Sequence, residues 1–321
     1  MKKDFKIGYN LSSEEHTPNA LVKNTQRAEA LDFDFVMISD HYHPWLDLQG
    51  QSAFVWSVIG AIAHSTTKIS LGTGVTCPIM RIHPAIIAQA AATTATMMPG
   101  RFFLGVGSGE NLNEHILGDH WPPTLTRLAM LEESVQIIRE LWKGEEFTYY
   151  GEFYIVENAR IYTLPDKLPP IYVASSAENS AYLAGRIGDG LISTVPLENI
   201  MNKFDEGGGK GKPRIGKLDV CWAPSEEEGC RTAFEQWTNT GINGELNQEL
   251  ATPALIEQAA SMVRYEDVAE KIVCGPDPKK YLEKIELFAE SGFDHIYLHQ
   301  IGCDQDGFFN FYEKELLPEL R

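Results

Sequence analysis

The chain has 321 residues, 43% of them hydrophobic and 22% charged, which allows a substantial core and excludes wholesale disorder. Its 27 basic and 45 acidic residues give a formal net charge of −18, which disfavours nucleic acid and anionic membrane surfaces as partners. The five cysteines are scattered and never spaced as CxxC, which argues against a disulfide framework or a zinc site and fits a reducing cytoplasm.

The first half of the chain alternates predicted strands with predicted helices. Residues 1–5 lack the apolar run of a signal peptide, and no segment could span a bilayer, so we expect a cytoplasmic protein. Short apolar and β-branched runs predict strands over residues 5–9, 35–39, 68–73 and 101–106. Apolar residues at helical spacing predict helices from Pro18 onwards, around residues 54–62, over 84–98 and over 125–142.

The second half continues this alternation less regularly. A hairpin is predicted over residues 147–150 and 153–156, and strands are predicted over 170–173, 190–193, 218–222 and 294–298. Helices are predicted around residues 182–184, near 226–237 and over 308–317. The segment of residues 201–273 is too long for one β-to-α connection, so we expect an insertion there, within one domain of residues 1–321.

A strand followed by a helix, repeated about eight times, is the pattern of a parallel (β/α)₈ barrel, and the alternative is a doubly wound open sheet. Chemically distinctive residues decide for the barrel, because they follow the C-terminal ends of different predicted strands and a barrel brings those ends together at one mouth. These residues are Glu14, Asp40, His41, Trp45, Gly74, Cys77, Glu110, Asn113, Ser175 and Ser176. No GxGxxG motif opens the first helix, which disfavours the open dinucleotide-binding sheet.

The stretch of residues 35–45 changes character abruptly. A buried strand is followed within a few residues by Asp40, His41, His43 and Trp45, which are costly to bury without partners. One interpretation is a functional site at the strand end, and the other is a polar loop that Asp40 caps. His41 is the better candidate for a base, because His43 precedes a proline and is biased towards an extended loop. No pattern pairs the other histidines, including His299, so we expect them to be structural or solvated.

Two glycine-containing strand ends are further candidates. Three glycines in residues 105–109 directly precede Glu110, which predicts a backbone that approaches a flat ring or a phosphate closely, although a tight turn is the alternative. Gly74, at the end of the third predicted strand, is consistent with a bulge. The sequence contains no GxSxG nucleophile motif and no recognisable run of metal ligands.

Taken together, the segments at residues 39–45, 74–78, 83–89 and 105–114 resemble the luciferase-like (bacterial luciferase) superfamily. Within it they are most similar to the coenzyme F420-dependent dehydrogenases, which act on glucose 6-phosphate or on secondary alcohols. The resemblance implies a deazaflavin cofactor, a small-molecule substrate and a homodimer. It also implies that the peptide bond between Gly74 and Val75 is the family's non-prolyl cis bond.

The resemblance assigns roles to individual residues. Those that would hold the deazaflavin ring are Asp40, Gly74, Val75, Gly107, Ser108 and Asn113. Those that would bind the ribityl-phosphate arm are Ala174, Ser175, Ser176 and Thr194. Those at catalytic positions are His41, Trp45, Glu110 and Glu14. His41 would remove the proton of a substrate hydroxyl, Glu110 would exchange a proton with the ring, and Trp45 would orient the substrate and exclude water.

The chain departs from the glucose-6-phosphate enzymes where those place basic residues around the sugar phosphate. The corresponding positions here are Leu197, the neutral region of Asn247, and Lys271, so a phosphate would meet one cation. We therefore expect an alcohol or hydroxy acid as substrate, and not a sugar phosphate. The alternatives are a flavin mononucleotide (FMN) monooxygenase with a reductase partner, and a flavin- or deazaflavin-binding protein without turnover.

Overall fold

The structure is a computed structural model that describes residues 5–321, so residues 1–4, on which part of the signal-peptide argument rests, lie outside it. The strands are β1 (Lys6–Leu11), β2 (Phe35–Ile38), β3 (Ser70–Thr73), β4 (Phe102–Val106), β5 (Phe147–Tyr150), β6 (Ile155–Ala159), β7 (Ile171–Ala174), β8 (Gly190–Ser193), β9 (Arg214–Cys221), β10 (Val273–Cys274) and β11 (His295–Gln300). The helices are α1 (Pro18–Ala30), α2 (Val55–Ser65), α3 (Pro84–Met97), α4 (Asn111–Glu114), α5 (Thr124–Leu141), α6 (Glu178–Ile187), α7 (Glu198–Phe204), α8 (Glu226–Trp237), α9 (Leu246–Glu249), α10 (Pro253–Ala260), α11 (Tyr265–Ala269), α12 (Pro278–Glu290), α13 (Gln305–Phe311) and α14 (Leu317–Leu320).

Eight parallel strands close into the predicted (β/α)₈ barrel. Their order is β1-β2-β3-β4-β7-β8-β9-β11, and the pairings of β8 with β9 and of β11 with β1 complete the ring. Strand β10 pairs with the C-terminal end of β9, at Val220 and Cys221, and β5 and β6 form a separate antiparallel hairpin. Since all eight barrel strands are parallel, their C-terminal ends meet at one mouth.

The barrel interior is filled by large side chains that alternate along the strands. Strands β2 and β4 are buried over their whole length, because helices cover the outer face and the barrel encloses the inner one. The inward-facing group consists of Phe35, Met37, Phe103, Ile192, Ile215 and Tyr297. Gly72 makes this packing possible, because a Cβ atom there would lie 1.9 Å from the Phe103 ring. No helix in residues 5–321 is both long and apolar enough to cross a membrane.

Several predicted elements differ in their bounds from the observed ones, and three of the differences concern strand β9, the hairpin and the last long helix. Strand β9 begins at Arg214, before the predicted residue 218, because its inward-facing positions include charged side chains that hide the strand pattern. The second hairpin strand starts at Ile155, because the backbone N–H groups of Phe153 and Tyr154 bind the Glu133 carboxylate, 3.2 and 3.0 Å away. The last long helix breaks after Phe311 into a π-helical turn.

The predicted insertion of residues 201–273 contains strand β9 as well as helices α8–α11. The part after β9 packs onto the loops that follow β2 and β4: the Asp47 backbone N–H donates to Glu257, 2.9 Å away, and the Asn111 amide donates to the Glu249 carbonyl, also 2.9 Å away. The division into one domain with an insertion remains a prediction. The packing shows that this segment borders the barrel mouth.

Candidate active site

His41 and Glu14 face each other at the mouth, on the loops that follow β2 and β1. The His41 Nε2 atom lies 3.5 Å from a Glu14 oxygen, and the side chains are 10% and 3% exposed. The other Glu14 oxygen accepts hydrogen bonds from Ser39, at 2.5 Å, and Ser12, at 3.1 Å. Burial alone would raise the pKa of Glu14, but the positive charge of His41 and the hydrogen bond from Ser39 outweigh it, so the pKa is lowered. Glu14 is therefore an anion that can stabilise a protonated His41.

The second ring nitrogen of His41 has both a donor and an acceptor within reach. Its Nδ1 atom lies 3.1 Å from the His43 carbonyl oxygen and 3.2 Å from the Asn113 amide nitrogen. The Asn113 oxygen accepts from the backbone N–H groups of Tyr42 and His43, which orients the amide nitrogen towards His41. With a proton on Nδ1 donated to His43, Nε2 presents a lone pair near Glu14. The site accommodates His41 with and without the extra proton, as a general base requires.

Trp45 forms a wall beside His41. The ring centroids of the two side chains are 5.0 Å apart, and the planes are inclined by 57°. The Trp45 backbone N–H donates to Gln49, 2.9 Å away, and the indole packs against a buried cluster that includes Ile242 and Ile256 of the segment after β9. Because a large apolar ring borders the imidazole, this side of the mouth is shielded from water.

Beneath these residues, one guanidinium is shared by two buried carboxylates. Asp40 accepts hydrogen bonds from Thr76 and from Arg81, at 2.7 and 2.8 Å. Glu114 accepts from the Arg81 backbone N–H at 2.8 Å, but its other oxygen, 3.6 Å from the Arg81 Nε atom, has no hydrogen-bond partner in residues 5–321. Since Arg81 is committed mainly to Asp40, burial raises the pKa of Glu114 to about 7.

The raised pKa of Glu114 makes part of the folding stability depend on pH. The folded-state pKa of about 7 exceeds the ordinary value of 4.5. The contribution of Glu114 to the free energy of unfolding is therefore fully present below pH 4.5 and is lost as the pH rises through 7. Replacing Glu114 with the uncharged glutamine removes this loss. We expect the Gln variant to gain stability relative to wild type between pH 5 and pH 8, by on the order of 1–3 kcal/mol. Urea unfolding of both proteins at the two pH values measures the change; a constant difference would contradict the prediction.

The floor of the mouth, at the ends of β3, β4 and β7, lacks large side chains. The peptide bond between Gly74 and Val75 is cis, as the resemblance implies. A Cβ atom on Gly107 would lie 2.8 Å from the Val75 side chain and 3.5 Å from that of Ala174. Val75 and Ala174 are partly exposed, so the floor is a flat, apolar surface that fits a planar ring.

Glu110 and Ser108 lie at the edge of this floor, on the loop after β4. Both are partly exposed, and a Glu110 carboxylate oxygen lies 3.5 Å from the Asn113 amide nitrogen. Asn113 thus stands between Glu110 and His41. The fold brings the predicted residues of the first four barrel strands together at one place.

The family model described as luciferase-like monooxygenase matches residues 5–295. The chain belongs to this family. The F420-dependent glucose-6-phosphate dehydrogenases of Segniliparus rotundus and Microbacterium testaceum are each 35% identical to it, and the alignments cover 99% or more of this chain and 98% or more of each relative. A solved structure titled as an F420-dependent secondary alcohol dehydrogenase with an F420-acetone adduct aligns over 99% of both chains, with 30% identity and a TM-score of 0.92. These findings confirm the predicted resemblance.

In this luciferase-like protein the residues predicted to bind a phosphate arm lie at the end of β7 and directly after β7 and β8. Helix α6 begins at Glu178 without a side-chain cap, so its first backbone N–H groups are open to an anion. The Ser175 hydroxyl donates to the Ala177 carbonyl, 3.0 Å away, while Ser176 and Thr194 are exposed. Their role in binding remains a prediction.

The predicted exclusion of a sugar phosphate is not supported. It depended on Leu197, Asn247 and Lys271, yet relatives that match the whole chain are named as glucose-6-phosphate dehydrogenases. In the structure the Lys271 ammonium donates to the Thr240 carbonyl, 2.9 Å away, and the Asn247 amide donates to the Asn239 carbonyl, 3.1 Å away. The prediction counted only the basic residues in the loops after the strands. It left out basic residues that lie on the strands themselves.

His299 is a residue whose surroundings the sequence did not reveal. The side chain is fully buried, with Nδ1 2.7 Å from an Asp219 oxygen and Nε2 3.2 Å from a Glu15 oxygen. Burial and the nearby Lys217 ammonium would lower the pKa of His299, but these hydrogen bonds raise it overall. His299 therefore joins β9, β11 and the loop that carries Glu14. The alternation of side chains along β11 places His299 on the inward face of the barrel. This could be inferred from the sequence only once the barrel was known.

Proposed function

We propose that this protein is an F420-dependent oxidoreductase that transfers a hydride between a hydroxyl-bearing carbon of its substrate and the deazaflavin. The observation that carries the proposal is the largely buried His41, set between Glu14, Asn113 and Trp45 beside a flat floor. Whole-chain similarity to F420-dependent dehydrogenases supports it. The names of those relatives support a CH–OH substrate.

The residues of the mouth fit this cofactor. Gly107 and Val75 leave a surface on which a planar ring can lie, with Gly74 beside them. The residues that would complete the ring site are Asp40, Ser108 and Asn113, and those that would bind the phosphate arm are Ala174, Ser175, Ser176 and Thr194. When bound, F420 supplies a ring carbon that accepts or donates hydride.

The chain's own residues prepare the substrate and move its protons. An alcohol releases hydride readily only while its hydroxyl proton is leaving, so a base must lie within hydrogen-bond reach. His41 would accept that proton at Nε2, and the Glu14 carboxylate would stabilise the imidazolium. Trp45 would hold the substrate and exclude water. Glu110 would exchange a proton at the edge of the floor through its carboxylate.

Two alternatives remain. The family model carries the name monooxygenase, and an FMN monooxygenase on this fold would require oxygen and a reductase partner. A protein that binds a flavin or deazaflavin without turnover would not need the His41–Glu14 pair. A homodimer and a cytoplasmic location remain predictions.

Cofactor titrations test the proposal. We expect F420 to bind at least tenfold more tightly than FMN, a difference of about 1.4 kcal/mol. Fluorescence or calorimetric titration of the purified protein with each cofactor gives both dissociation constants. Equal affinities, or a preference for FMN together with oxygen consumption, would favour the monooxygenase.

A pair of glycine variants tests whether the cofactor ring binds at the floor of the mouth. Gly107→Ala places a methyl group against Val75 and should weaken F420 binding, because the surface is no longer flat. Gly60→Ala is the control, because a Cβ atom on Gly60 meets nothing within 4 Å. If both variants bind like wild type, the ring lies elsewhere.

A further inference from the structure

Strand β9 carries a lysine that the predicted sites do not include. Ile215 packs in the barrel interior, and because side chains alternate along a strand, Lys217 and Asp219 point inwards as well. Gly216 pairs with Ser193, the last residue of β8, so Lys217 lies one step beyond the end of β8. Its side chain is therefore at the level of the mouth, where it is 19% exposed.

The ammonium of Lys217 is only partly satisfied by protein groups. It lies 2.8 Å from an Asp219 oxygen and 5.4 Å from the centroid of the Trp237 ring, and no other group in residues 5–321 bonds to it. An ammonium has three donors, so two remain. The same Asp219 oxygen also binds His299 at 2.7 Å, so two cationic groups share this one carboxylate.

Lys217 belongs to the same mouth as His41. Trp45, next to His41, and Trp237, next to Lys217, pack against one group of buried residues that includes Ile301. Arg81, another cation near the mouth, is held by Asp40. Lys217 is thus a largely buried positive charge with unused donors, and it points into the barrel at the level of the mouth to which His41 also belongs.

We propose that Lys217 binds an oxyanion group of the substrate, a carboxylate or a phosphate, while His41 accepts the proton of the substrate hydroxyl. This inference rests on the proposed function and narrows its substrates to anionic hydroxyl compounds. A lysine ammonium is a compact charge suited to either group. Asp219 is shared with His299, which also pairs with Glu15, so the donors of Lys217 that Asp219 leaves unused are available to a ligand.

The test compares two matched substrate pairs in the F420-loaded enzyme: lactate against propan-2-ol, and glucose 6-phosphate against glucose. For Lys217→Gln we expect kcat/KM for the charged member of one pair to fall about 10- to 100-fold more than for the neutral member, mainly through KM, as the loss of a charged hydrogen bond implies. The affected pair identifies the group as carboxylate or phosphate. Lys217→Arg should retain most of the preference for the charged member.

Lys203→Gln is the matched control, because Lys203 forms an exposed pair with Glu206 and its loss removes the same charge. Calorimetry of lactate and glucose 6-phosphate binding provides a readout without turnover, and thermal melting checks that the variants fold. The proposal is overturned if wild type and Lys217→Gln show the same preference for the charged substrate of each pair. It is also overturned if the two proteins bind lactate equally well and glucose 6-phosphate equally well. Lys217-dependent binding without turnover of any of the four substrates upholds it and overturns the proposed function instead.

Discussion

His41→Asn is expected to lower kcat for alcohol oxidation by roughly 10²–10⁴-fold, the usual contribution of a positioned base. Asparagine can keep the hydrogen bonds to the His43 carbonyl and to Asn113, which are made by Nδ1 in wild type. It cannot accept a proton. F420 affinity should therefore change little while the chemical step slows.

The pH profile separates loss of a base from a structural effect. Wild-type oxidation should have an acidic limb in its pH profile, because a general base accepts the substrate proton only while it is unprotonated. The Asn variant should lack that limb of the profile. In the variant Glu14 loses the charge of His41 but keeps the hydrogen bonds from Ser39 and Ser12, so an acidic limb that persists would be assigned to Glu14.

Steady-state and single-turnover kinetics measure these effects, with F420 binding followed by fluorescence. The control is His120→Asn, which changes an exposed histidine in the loop before α5. Turnover by His41→Asn within threefold of wild type, with chemistry rate-limiting, would place the base elsewhere. Glu14 would then be the next candidate.

Arg81→Leu is expected to have the largest effect on stability, about 3–5 kcal/mol, because it leaves buried carboxylates without their cation. The Arg81 and Asp40 side chains are 6% and 1% exposed, and they are joined at 2.8 Å. Glu114 would lose the same guanidinium. Urea unfolding gives the change in the free energy of unfolding.

Two further variants show whether charge is the cause. The double variant Asp40→Asn/Arg81→Leu should recover part of the lost stability, because no charge then remains at position 40. Arg139→Leu breaks the half-exposed pair with Asp189 and should cost no more than about 1 kcal/mol. A loss for Arg81→Leu as small as that for Arg139→Leu would show that Asp40 does not depend on Arg81.

The fold class could be predicted because its signals are local. Runs such as β2 and β4 are buried on both faces and are therefore continuously apolar, and helices such as α3 begin and end at proline and glycine signals. The bounds were least accurate for β9, where Lys217 and Asp219 interrupt the apolar run. A charged residue inside a barrel looks like a loop residue until the strand's partners are known.

The sequence by itself determined which chemical groups stand at the mouth: Asp40, His41, Trp45, Glu110 and Asn113 all lie in the segments that follow the ends of β2 and β4, and parallel strands end on one side. Only the tertiary structure decided which groups pair. Asp40 meets Arg81 from 41 residues away, and His299 joins Asp219 and Glu15 across 80 and 284 residues. The reason is that the closure of the barrel and the register of β9 and β11 set the distances between these side chains. Two groups of suitable charge form a pair only when that register brings them within a few ångströms of each other.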